Sequence, residues 1–203
     1  AKRMSALRFL NDIAKPWDEL NALLAERLAL QPEVSDVTRL AGSLAVSIRH
    51  QVDAAGIEDI VVNAECLEHR IISDIADYWK HGPLKNPGRN NSLSTEAFFE
   101  YSPGKGFSFI RNALFVEHAT LGRHDFLVTS LAAIKYWIKR RAIATDWSGS
   151  VRENPQDFYR TAFLKFDPLR CISMDKMRLG FFLKQTDGSW TRVDPPEVLF
   201  EVH

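Results

Sequence analysis

The chain lacks most of the features that announce a function. It has no excess charge of either sign: 26 Lys and Arg stand against 26 Asp and Glu. A dedicated nucleic-acid binder usually carries a basic surplus that displaces counterions from phosphates, so that class is disfavoured. There are only two cysteines, Cys66 and Cys171, with no CxxC or CxxH spacing. They read as reduced, unpaired small hydrophobes rather than a disulfide or a zinc site. No apolar run is long enough to span a bilayer, and no basic start followed by an apolar stretch suggests export. These absences predict a cytoplasmic chain with no membrane partner. No phosphate-binding P-loop, GxSxG elbow, HExxH pair or GxGxxG fingerprint occurs, and no cofactor or metal is expected.

What remains is ordinary globular composition, with 45% apolar and 26% charged residues over 203 positions. That predicts one domain with a real core. The only charge bias is local. Between Lys80 and Arg141 there are ten basic residues and four acidic ones.

The first 81 residues read as helical. Leu7, Leu10, Ile13, Ala14, Trp17, Leu20, Leu24 and Leu28 recur at steps of three and four, with Pro16 as a kink or a fresh start. A second helix follows Gln31-Pro32, capped by Ser35 or Asp36 and ended by Gly56. Its small centre, Ala41 to Ser47, allows another helix to approach closely. A third runs from about Asn63 to His81, where Gly82-Pro83 stops it. Residues 82–95 are turn formers and predict a surface loop. Beyond it the grammar changes. Glu96–Tyr101 and Phe107–Thr120 read as strands around a Pro-Gly-Lys-Gly turn, and a helix over Ser130–Ala142 follows, capped by Thr129 or Ser130. Met174–Gln185 and Trp190–Val193 form a hairpin around Asp187-Gly188, and Glu197–Val202 is a last strand. The expected class is α+β, a helical N-terminal half packed with a small, mostly antiparallel sheet from the C-terminal half.

On the third helix Arg70, Asp74, Asp77 and His81 are spaced four, three and four apart, so they share one face, with Lys80 beside them. Two carboxylates flanked by a guanidinium and an imidazole can orient a catalytic histidine or hold a proton donor. The plainer reading is a solvated ion-pair stripe. His81 also ends its helix next to a loop that adds Lys85 and Arg89. Lys80, His81, Lys85 and Arg89 are therefore the candidate contacts for a phosphate-bearing ligand. The segment from Asp74 to Gly82 resembles a D-x-A-x-x-x-K-H segment of uncharacterised bacterial cytosolic proteins, a resemblance that implies no particular activity.

Arg111 and His118, with Asn112 between them, resemble the Arg, polar residue, then His motif of HEPN-domain ribonucleases. That resemblance implies an all-helical fold in which both side chains act on an RNA backbone. The residues around them, Phe107 to Val116, read instead as strand, in which positions seven apart face opposite ways. Three functions follow in order of expectation. The first is a non-enzymatic binding or assembly module with a protein partner. The second is a HEPN-like ribonuclease effector, and the third a phosphate or nucleotide binder. His81 ranks above His118 as the functional histidine.

Overall fold

A computed structural model describes residues 2–26, 34–164, 177–194 and 199–202. Cys171, the Gln31-Pro32 break, the first residues of the expected hairpin and Glu197 lie outside them.

Helices fill the N-terminal half, as the apolar periodicity predicts. α1 (Lys2–Phe9) passes through a π-helical turn (Leu10–Ala14) into α2 (Lys15–Leu24). The widened turn sits just before Pro16, whose ring cannot donate one turn back and would clash with the carbonyl there. α3 (Val34–Arg49) and α4 (Gln51–Ala55) follow, and Gly56 ends α4 in a left-handed conformation. The third expected helix is two helices. α5 (Asp59–Glu65) breaks at Cys66, whose extended backbone makes it the N-cap of α6 (Leu67–His81), where its sulfur accepts the His69 N–H. Cys66 is a buried free thiol, and burial raises its pKa.

The 82–95 stretch is loop only to Asn90. β1 (Asn91–Ser102) and β2 (Gly106–His118) form the central antiparallel hairpin, with a register shift at Phe98/Phe99. A short β3 (Gly122–Asp125) leads into α7 (Phe126–Arg140). Its cap is Asp125, which accepts from the Leu127 and Val128 N–H groups. Thr129 and Ser130 are instead buried inside the helix, where Ser130 receives the Trp17 indole N–H. β5 (Met177–Lys184) and β6 (Trp190–Val193) make the expected hairpin, and the sheet order is β3-β2-β1-β5-β6. β5 lies parallel to β1, so the sheet is mixed, with its other three pairings antiparallel. A separate parallel pair joins β4 (Thr161–Leu164) to β7 (Leu199–Val202). Among the described residues no helix is long and apolar enough to cross a membrane.

One face of the β1–β2 hairpin packs on the helices. Leu93, Leu114 and Val116 join a core with Ile71, Ile75, Leu44 and Trp137. The opposite face carries Glu96 under Arg123 and Arg192, beside a stacked Phe98–Phe182 pair. α3 meets α6 at the small-residue centre. A methyl group at Gly42 would fall inside the Trp79 indole. Gly42→Ala is therefore expected to destabilise by about 1 kcal/mol, because the clash outweighs the helix-propensity gain of alanine. Trp79 is already half exposed and can swing outward, so its fluorescence should shift to the red. An unchanged spectrum together with higher stability would contradict the close packing.

Candidate functional site

α6 supplies the site because its two faces do different work. Ile71, Ile72 and Ile75 are buried in the core. Asp74 sits one turn beyond Arg70, at the edge between core and surface, and is itself buried. A cleft of about 570 Å³ opens along this edge, lined by Arg49, Asp59, Asn63, Arg70, Ser73, Asp74, Asp77 and Arg89, with Ile60 and Ala64 as its apolar wall. The expected same-face set Arg70, Asp74 and Asp77 thus lines one cavity. His81 does not join it. That imidazole is exposed at the helix end and has no hydrogen-bond partner among the described residues.

The two carboxylates hold an arginine instead. Arg89 donates from Nε to Asp74 Oδ1 and from Nη2 to Asp77 Oδ2, each at 2.6 Å. Burial disfavours the Arg89 charge. The bonds from Asp77 and Asp74, with their Coulomb attraction, outweigh it and raise the pKa overall. Of the other proposed ligand contacts, Lys85 is exposed away from the cleft, and Lys80 donates to His50 Nε2 at 3.0 Å. Only Arg89 of that set reaches the cavity.

The histidine that Asp74 does hold is His118, from the far end of β2. Its Nε2 lies 2.9 Å from Asp74 Oδ2, and its side chain is wholly buried. Its Nδ1 accepts the backbone N–H of Thr120 at 3.3 Å and of Leu121 at 3.2 Å. An Nδ1 that accepts carries no proton, so this bonding pattern assigns the neutral tautomer with Nε2–H donating to Asp74. Both ring nitrogens are thereby engaged. Arg111, on the opposite face of β2, pairs with Asp125. Arg111 and His118 share no site, and the segment that carries them is strand rather than helix.

A second buried histidine lies under the cleft floor. His69 Nδ1 is 3.0 Å from the Trp137 indole nitrogen, and its Nε2 is 3.1 Å from Ser73 Oγ. An indole N–H can only donate, so Nδ1 must accept and Nε2 must bear the hydrogen. His69 therefore donates to Ser73. A serine nucleophile needs the reverse polarity, with the imidazole accepting the hydroxyl proton. Burial, aided by the nearby Arg49 charge, lowers the His69 pKa to about 4, which keeps the ring neutral at pH 7. Neither this Trp-His-Ser chain nor the His118–Asp74 pair has a local sequence signal. His69 and Trp137 are 68 residues apart, and Asp74 and His118 are 44 apart. Among the described residues no three His, Cys, Asp or Glu side chains converge in a way that could hold a metal ion.

No family model matches this chain, and neither does any curated protein or solved structure.

Proposed function

We propose that the chain is a non-enzymatic binding or assembly module that engages a protein partner beside the α5–α6 cleft. The observation that carries this reading is the commitment of the two buried histidines that bond the lining residues Asp74 and Ser73. His118 and His69 each use Nδ1 as an acceptor from groups that only donate, so neither is free to take a proton from a substrate. Ile60 of the cleft wall and two exposed apolar residues close to it in sequence, Val61 and Leu67, support the choice of partner. Ile60 is 75% exposed, Val61 41% and Leu67 47%, so three of the seven exposed large apolar side chains among the described residues fall within eight positions. Such clustering of apolar side chains marks contact surfaces. The HEPN-like alternative gains no support from Arg111 and His118 on opposite faces of a strand.

Two measurements test the reading. The full chain is expected to show no turnover of single-stranded RNA, p-nitrophenyl phosphate or p-nitrophenyl acetate. Turnover that His118→Gln or Ser73→Ala removes would overturn the proposal. A partner captured by the wild type and then purified should bind the Ile60→Glu/Leu67→Glu variant at least about tenfold more weakly, as loss of apolar anchors does. Equal binding would place the contact elsewhere.

A further inference from the structure

We infer that the same cleft holds a small-oxyanion site, taking a phosphate or a carboxylate group between Arg70, Arg49 and the Ser73 hydroxyl. The inference starts from unspent donors. The Arg70 guanidinium lines the cavity and has no ion-pair or hydrogen-bond partner among the described residues. Arg49 bonds Asp59 through Nη2 at 2.7 Å, which leaves Nε and Nη1 without a partner among those residues. Ser73 Oγ accepts from His69, so its own O–H remains to be donated. Both guanidinium groups therefore hold unused donors, and the planar fork suits carboxylate and phosphate oxygens.

Of the three lining acids only Asp59 touches these donors, through Nη2 of Arg49 alone. Both Asp74 oxygens are occupied, by Arg89 and by His118, and Asp77 is tied to Arg89. Three arginines against three aspartates make the lining neutral overall. A lone anion should therefore bind weakly, with a Kd of roughly 1 mM from a few charge-assisted bonds. A ligand that also covers the Ile60–Ala64 wall would bind more tightly. The volume, about 570 Å³, admits an anionic group together with its carrier.

The test is a calorimetric titration of the full chain with inorganic phosphate and, separately, with acetate, at ionic strength held constant with chloride. Saturation by phosphate that Arg70→Ala weakens about tenfold, with Arg70→Lys intermediate and Lys85→Ala unchanged, is the expected result. Saturation by acetate alone with the same ranking would also support the site and assign it to carboxylates. Arg70 is exposed, so its variants should keep the wild-type melting temperature, and that measurement accompanies each titration. Binding that is equal in wild type and Arg70→Ala, or no saturation above the chloride control, would overturn the inference. A failed titration leaves the protein-partner reading standing, because that reading rests on the committed histidines and on Ile60, Val61 and Leu67.

Discussion

Replacing His118 with alanine is expected to destabilise the fold by about 3 kcal/mol. The side chain is wholly buried, and its two nitrogens serve three groups at once. Without it, Asp74 Oδ2 loses a donor while still buried, and the Thr120 and Leu121 N–H groups lose their acceptor. The Asp74 oxygen is the costly orphan, because it is buried and has been removed from water with nothing in exchange, whereas the Thr120 and Leu121 N–H groups lie nearer the surface. For a domain of this length that corresponds to a melting temperature lower by roughly 10 °C. His81→Ala, at an exposed helix end, should stay within about 0.5 kcal/mol. Urea titrations of both variants check the ordering. A His118→Ala chain as stable as wild type would mean that the Asp74 pair is dispensable, and a larger loss in His81→Ala would invert the argument.

The contrast between these two histidines marks where a sequence pattern stops being informative. The spacing of Arg70, Asp74 and Asp77 on one helix face follows from the 3.6-residue period alone, and the fold brings those three to one cavity. Which cation the carboxylates hold is a tertiary matter. Arg89 reaches them because the 82–90 turn folds back over α6. Asn91 fixes that return by donating to the Asp74 carbonyl, and Asn90 accepts the Leu84 N–H. His118 reaches them because β2 ends beside the same turn, where Thr120 Oγ1 donates to the Gly88 carbonyl. His81 is four residues from Asp77 on an ideal helix and still loses it to Arg89, which offers a bidentate fork and arrives from above the helix.

The same division holds for the elements. The β1–β2 hairpin was readable from aromatic and branched residues around a glycine turn, and the α6 stripe from its isoleucines. The parallel β1–β5 pairing was not, because the 74 residues between Ser102 and Met177 include α7 and β2 and carry no mark of which edge the chain returns to. Cys66 as a helix cap was hidden too, since cysteine is not among the residues that usually end an extended segment in this way. Asp125 caps α7 in place of Thr129 or Ser130, because a carboxylate there accepts two N–H groups. The hydroxyls lost to it because the core needed them, Ser130 as the acceptor for Trp17.

The second large effect expected is on the pH dependence of stability, and it belongs to His69. Its pKa in the folded chain is lowered to about 4 from an ordinary 6.5, chiefly by burial and secondarily by Arg49. Between those two values the unfolded chain binds a proton at this residue and the folded chain does not. Stability is therefore fully present above pH 6.5 and is lost as the pH falls toward 4, by up to about 3 kcal/mol from this one group. The variant that isolates the effect is His69→Asn. Its side-chain oxygen can take over the Nδ1 role and accept the Trp137 N–H, but it cannot titrate. At pH 7 the variant should be less stable than wild type, because the bond to Ser73 and some packing volume are gone. Toward pH 4 the two should converge, since the wild type alone pays for forcing out the His69 proton. Carboxylates that titrate in the same range are common to both proteins and cancel in the difference. Chemical denaturation at pH 7, 6, 5 and 4 measures that difference directly. If the gap between the two proteins stays constant across the series, His69 is not the buried neutral ring that its bonds to Trp137 and Ser73 describe.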